Sequence, residues 1–285
     1  MTSYTPTTLA LFSDIHGGSP VGLMRPIQWQ LQTVNVTVNP LQRLIWKQFD
    51  EATAEVGKIR KRRRLVAVFD GDATEGNHHG SKQTITQYTK EHEAIAIDAI
   101  DHGLKNMKFG KNDHFYMVAG TASHVEESEE RIAADLKPVP FMPAPEDRVT
   151  RWCWPILPLE VNGVFGLIVH HGPGPGKGAL EGNPLRNAVR NMIVGRKMRG
   201  KRLPRFVVFA HRHAKQHIVY EHEDIVVDAF ILPSFQGKTD WLYSVDPFAI
   251  NNIGMLSIDI DVDGSFGWRW LAMELTDYQE RIESI

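Results

Sequence analysis

Five short apolar runs recur along the chain: TLALFS (Thr8 to Ser13), LVAVF (Leu65 to Phe69), HFYMVAG (His114 to Gly120), FGLIVH (Phe165 to His170) and FVVFAH (Phe206 to His211). Their length and their bias toward β-branched and aromatic residues identify them as buried strands. Between them, Pro40 to Lys58 and Gln83 to Leu104 are long, charged and intermittently apolar, with Ile85, Tyr88, Ile95 and Ala99 at helical spacing. Strands and helices that alternate in this way predict a layered α/β fold. Beyond His213 the pattern turns to strands alone, at Gln216 to Tyr220, Ile225 to Leu232, Gly254 to Val262 and Phe266 to Leu275, with DVDG (Asp261 to Gly264) joining the last two as a hairpin. The proline-rich Pro138 to Arg148 is expected to be a surface loop inside a single domain covering residues 1–285, because polar clusters of one kind lie on both sides of it.

Each of the five runs closes on such a cluster. The first is followed by Asp14 and His16, the second by Asp70, Gly71, Asp72 and Glu75, and the third by Thr121, Ser123 and His124; the fourth ends in His170-His171-Gly172 and the fifth in His211-Arg212-His213. In open α/β sheets, sites form outside the carboxyl ends of strands, which brings these clusters toward one crevice. Taken singly, each is an ordinary turn or cap. Together they form a set of carboxylates and imidazoles suited to manganese, iron(II) or zinc, and unsuited to calcium, which takes oxygen ligands. A two-metal site also needs a bridging carboxylate, and Asp72 is placed for it.

In this order the clusters resemble the blocks D-x-H, G-D-x-x-D/E, G-N-H-D/E, H-G and G-H-x-H of the calcineurin-like metallophosphoesterase superfamily, most nearly a branch found in phage and prophage genomes. ILPSFQGKTDWLYS (Ile231 to Ser244) is similar to a terminal segment of that branch. The resemblance implies an α/β four-layer sandwich, two mixed β-sheets flanked by helices, and hydrolysis of a phosphate ester by hydroxide held between two divalent metal ions, Mn2+ first, with Fe2+ or Zn2+ as alternatives. It implies Asp14, His16 and His213 on one ion, His171 and His211 on the other, and Asp72 between them. His171 is the residue that precedes the glycine, and His170 is the alternative. Thr121 stands where the family has an asparagine ligand; threonine is a poor ligand for these metals, so the second site is weaker, completed by water, or served by His124 instead. His124, two residues later than the family's catalytic histidine, is also the first candidate for the acid that protonates the leaving group; His79 is the second. Glu75 lies outside the ligand set so implied.

Composition restricts the partners. With 32 basic against 34 acidic residues the chain has no global attraction to nucleic acid. A lone cysteine, Cys153, and no leader-like start lead to an expected cytoplasmic location, and no apolar run reaches the roughly 20 residues of a membrane span. Two basic stretches remain. RKRRR (Arg60 to Arg64) suits the C-terminal end of a helix, whereas Arg186 to Arg205 is either an amphipathic helix ending at Gly195 or a phosphate-tracking face. GPGPGKG (Gly172 to Gly178) lacks the leading glycine and the Ser/Thr of a P-loop and is expected to border the site as a loop, with Lys177 near substrate phosphate. The expected substrate is a phosphodiester, in nucleic acid or a nucleotide. The alternatives are phosphomonoester hydrolysis, of a small molecule or a phosphoprotein, and a non-catalytic metal-binding or assembly module, which the substitution by Thr121 would favour.

Overall fold

All five apolar runs are strands in the computed structural model, which describes residues 5–32, 34–76, 83–125, 127–141, 150–246 and 250–275, the side chains of Ser123, His124, Trp241 and Val245 excepted. In chain order the elements are β1 (Thr7–Phe12), β2 (Trp29–Gln30), β3 (Asn35–Val36), α1 (Pro40–Ile59), β4 (Arg64–Asp70), α2 (Thr89–Asn106), β5 (His114–Val118), α3 (Ala122–Val125), α4 (Ser128–Leu136), β6 (Cys153–Trp154), β7 (Leu157–Val161), β8 (Val164–His171), α5 (Asn183–Met198), β9 (Phe206–Ala210), β10 (Gln216–His222), β11 (Ile225–Ile231), α6 (Asp240–Val245), β12 (Asn252–Ile260) and β13 (Phe266–Glu274).

Two mixed sheets result. The first has the order β13-β12-β1-β4-β5-β6, with β1, β4, β5 and β6 parallel and β12 and β13 antiparallel. The second has the order β10-β11-β9-β8-β7, with β11, β9 and β8 parallel and the outer two reversed. Odd and even positions of β1 part to opposite faces, as the pleat requires. Leu9 and Leu11, with Val66 and Val68, meet Ile168, Phe206, Val208 and Phe230 between the sheets. Ala10 and Phe12, with Ala67 and Phe69, instead carry Ile45, Phe49 and Ile100 of α1 and α2. On the far side α5 sets Leu185, Val189 and Ile193 on the second sheet. The layers therefore run helix, sheet, sheet, helix, which is the expected sandwich. Burial on both faces explains why these strands are continuously apolar rather than alternating.

The helices begin and end where local chemistry directs them. Asn39 caps α1 by accepting from Gln42 N while the Gln42 side chain accepts from Asn39 N, and Pro40 supplies the fixed φ of a first turn. α2 starts at Thr89, later than the expected Gln83: the Thr86 hydroxyl donates to Glu91 and accepts from Tyr88 N, so the preceding residues form a turn. α5 continues through Gly195 to Met198 and stops before Gly200, whose φ of 61° is the left-handed conformation that ends helices. The expected hairpin is present, with Ile260 opposite Phe266 across Asp261–Gly264. Part of the proline-rich loop, residues 142–149, lies outside the described residues. Among the described residues no helix is long and apolar enough to cross a membrane.

The basic stretches bind their own chain. Arg60 pairs with Asp113 at 2.8 Å, and Arg63 pairs with Asp261 at 2.6 Å while reaching Thr7 O. Arg196 and Arg202 lie over the Phe165 ring, Arg202 also pairs with Glu160, and Arg205 pairs with Asp228 and covers Phe266. Arg186 to Arg205 is thus a helix with an engaged basic tail, and five of its six guanidinium groups are already used within the fold.

Candidate metal centre

Both sheets send the carboxyl ends of parallel strands to one rim, and the loops beyond them interlock. Asp14 N donates to Gly71 O (2.9 Å), His16 N to Asp72 O (3.2 Å) and Gly17 N to Ala73 O (2.9 Å), which extends the β1–β4 ladder past the strands. His211 N, from the second sheet, donates to Asp14 Oδ2 at 3.2 Å and ties the two rims together. Asp14, His16, Asp72, His211 and His213 all have positive φ, between 46° and 68°. Backbone of this kind is uncommon outside glycine and gathers at functional sites. Gly71 is required for contact: a methyl there would meet His170 Nδ1 at 2.4 Å and Gly120 Cα at 2.7 Å.

Two groups of donor atoms result, Asp14, His16 and His213 in one and Asp72, His170 and His211 in the other, the atoms of each lying within 4.8 Å of one another. In the first, Asp14 Oδ1 is 3.2 Å from His213 Nε2 and 3.9 Å from His16 Nε2. In the second, Asp72 Oδ2 is 3.1 Å from His170 Nε2 and 3.6 Å from His211 Nδ1. Asp14 Oδ1 also lies 4.0 Å from His170 Nε2, so the groups abut. Asp72 Oδ1 accepts from Thr121 N at 2.6 Å, while Oδ2 faces the two imidazoles of the second group.

Thr121 belongs to the second group. Its hydroxyl oxygen is 3.1 Å from Asp72 Oδ2, 3.0 Å from His211 Nδ1 and 3.4 Å from His170 Nε2. Donors 2.0–2.1 Å from a shared cation in a tetrahedron stand about 3.3 Å apart, and the distances of Thr121 and Asp72 to each other and to both imidazoles, 3.0–3.6 Å, are close to that. The mixed oxygen and nitrogen set, with Asp14, His16, Asp72 and His170 almost completely buried, fits a divalent transition metal in both groups. The imidazoles are held from behind: His170 Nδ1 by Asp70 O at 2.5 Å and His16 Nδ1 by Glu75 Oε2 at 3.1 Å.

The motif-matched His171 is not among the donor atoms the structure brings together, whereas the alternative, His170, is. His171 is exposed, with its ring 4.8 Å from that of His211, and His170 takes the inward place. The alternation along β8 explains this. Val164, Ile168 and His170 share the face turned to the other sheet, and a register shift between Val169 and His171 accompanies the strand's end. His124 falls on α3, directly after Thr121, with its side chain outside the described residues; His79 lies wholly outside them. Glu75 closes the G-D-x-x-D/E block but lies outside the implied ligand set, whereas Glu129 and Gln236 contact the centre's loops without belonging to any block, since outer hydrogen bonds of this kind leave no spacing signature. Lys177 pairs with Asp246 at 2.7 Å.

Protons stand where cations would. Burial opposes charge on His170, but its hydrogen bond to Asp72 and the charges of Asp14, Asp72 and Asp70 prevail and push it up to about 11. Burial likewise opposes ionisation of Asp72, and His170 and His211 outweigh it, holding the carboxyl well below its usual range. Asp70 and Glu129 lack such compensation, and burial pushes them up to about 8 and about 7. A carboxyl whose folded value exceeds its unfolded one stays protonated longer in the folded chain and so removes stability as pH rises between the two. His170 acts in the same direction from about pH 6.5 upward, whereas Asp14 and Asp72, both lowered, remove stability only as pH falls below about 4. The metal-free protein is therefore expected to lose stability from about pH 4.5 to pH 8, on the order of 3 kcal/mol from Glu129 alone. Urea midpoints across that range check it, and a flat profile would show that neither carboxyl is held neutral.

No family model and no curated protein matches the chain. Among solved structures it is similar to an uncharacterised Streptococcus pneumoniae protein termed a predicted phosphoesterase (10% identity, TM-score 0.37, covering 96% of this chain and 99% of that one). It is also similar to a Haemophilus influenzae NAD nucleotidase (12%, 0.44, 95% and 56%) and to a Mycoplasma pneumoniae phosphatase (7%, 0.43, 95% and 95%).

Proposed function

We propose that this chain hydrolyses a phosphate ester at a pair of divalent metal ions. The observation that carries the reading is the abutting of two carboxylate–imidazole groups, with Asp14 Oδ1 of the first 4.0 Å from His170 Nε2 of the second. Asp14, His16 and His213 hold the first ion, His170, His211 and Thr121 hold the second, and Asp72 Oδ2 serves the two. When bound, such a pair polarises phosphoryl oxygens and makes water nucleophilic near neutral pH. Manganese is the metal we favour, with iron(II) and zinc next.

The chain's own part is positional. Buried loops fix the donors before metal arrives, and partly exposed His211 and His213, about a fifth to a quarter accessible, leave the outer side of the centre open to a substrate. His124 is our candidate for protonating the leaving oxygen, from its place on α3 one turn past Thr121. A diester is the substrate class we favour on the motif resemblance alone, because the arginines of Arg186 to Arg205 are largely engaged with their own chain.

The test is hydrolysis of an aryl phosphodiester and an aryl phosphomonoester by metal-stripped protein refilled with Mn2+. Diester turnover that depends on the metal is the expected result. Turnover of the monoester alone moves the substrate class to phosphatase substrates, and no turnover on either with two ions bound removes general phosphoesterase chemistry from the reading.

A further inference from the structure

Two buried carboxylates that are not ligands stand one behind each group. Glu75 Oε2 lies 3.1 Å from His16 Nδ1 and accepts from Gln236 Nε2 at 2.7 Å. Gln236 is itself fixed: its side-chain amide also donates to Ser19 Oγ at 3.3 Å, and its main-chain carbonyl accepts from Asn251 Nδ2 at 3.3 Å. Both Glu75 and Gln236 are almost fully buried, at 4% and 3% exposure, so neither contact is diluted by solvent. A carboxylate on the rear nitrogen of a ligand imidazole fixes its tautomer and rotation and makes the front nitrogen more basic.

Glu129, on α4, does a different task for the other group. Its Oε2 accepts from Gly120 N at 2.6 Å and its Oε1 from Ala73 N at 3.1 Å. Gly120 precedes Thr121 and Ala73 follows Asp72, so a single carboxylate spans the two loops that bring these ligands together. Those loops pack too closely to hold their spacing by side-chain filling. A methyl at Gly120 would come within 2.3 Å of Asp72 N and 2.9 Å of Glu129 Oε1.

We propose that the two ions are positioned independently, the first by Glu75 under the hold of Gln236 acting on His16, the second by Glu129 setting the distance between the Asp72 and Thr121 loops. This rests on the dinuclear reading above. All three are positioning residues, and none touches a reacting atom. The arrangement allows either ion to be loosened without the other, although Asp72 is common to both.

Calorimetric titration of Mn2+ into metal-stripped full-length protein tests this, with Glu129→Gln, Gln236→Met and the double variant beside the unaltered chain. Two ions are expected for the unaltered chain. Each single variant is expected to weaken one ion by about 10- to 100-fold and to leave the other nearly unchanged, and the double variant to weaken both. If the two substitutions weaken the same ion, or each weakens both equally, or neither constant moves while only the metal-free unfolding temperature falls, the proposal is overturned. An unaltered chain that binds fewer than two ions overturns the dinuclear reading instead. Should Glu129→Gln fail to fold, Glu129→Asp, charged but a methylene shorter, is expected to loosen the same ion, and Glu75→Gln replaces Gln236→Met in the same way.

Discussion

Asp72→Asn is expected to lower turnover of the aryl phosphodiester by about a thousandfold or more, while the circular dichroism of the metal-free chain stays unchanged. On the two-ion reading the size follows from removing the charge of the carboxylate proposed to serve both ions: several kcal/mol of charge stabilisation is lost, and each 1.4 kcal/mol is about tenfold in rate. The fold survives because the asparagine carbonyl can still accept from Thr121 N, the bond that now occupies Oδ1 at 2.6 Å. Turnover that persists in this variant removes Asp72 from the bridging role, and loss of the native spectrum would assign it to folding instead.

The second large effect separates two adjacent histidines. His170→Ala is expected to abolish binding of one Mn2+ ion and to reduce turnover by about a hundredfold or more, as deletion of a buried ligand does. His171→Ala is expected to keep both ions and to stay within about tenfold of the unaltered rate. The contrast rests on burial and aim: His170 is 1% exposed, with Nε2 turned to Asp72 and Nδ1 to Asp70 O, while His171 is exposed beside His211. Metal content and initial rates for the two variants check it, and the reverse outcome would give the second ion to His171.

That pair also marks where the sequence is legible and where it is not. The strands were readable because sheets buried on both faces demand continuous apolar runs, and each run met its polar cluster at a carboxyl end. His171 follows from matching a histidine to the glycine after it. Counting by twos from Val164 through Ile168 leads to His170, a signal present in the sequence that the motif overrode. Glu129 and Gln236 were invisible for another reason. Glu129 acts through backbone N–H groups of Ala73 and Gly120, and every residue type carries such a group, so nothing at those positions announces the partner. The arginines of Arg60 to Arg64 were rightly expected at a helix end, but their acceptors Asp113 and Asp261 come from distant loops that only the fold brings near.

The neighbours of β1 bear on how such a chain is made. Emerging from a ribosome, residues 7–12 find their first partner when β4 follows, but their other partner, β12, is complete only at residue 260, and the histidine that closes the first ligand group is residue 213 of 285. Through most of synthesis the apolar β1 would present one open edge to whatever else is nearby, the hazard that unpaired strands carry. Metal cannot relieve it early, because the group that would capture the first ion does not yet exist. On the two-ion reading a divalent ion is therefore captured only after residue 213 has been made, so the early open edge of β1 is relieved by strand pairing and not by metal.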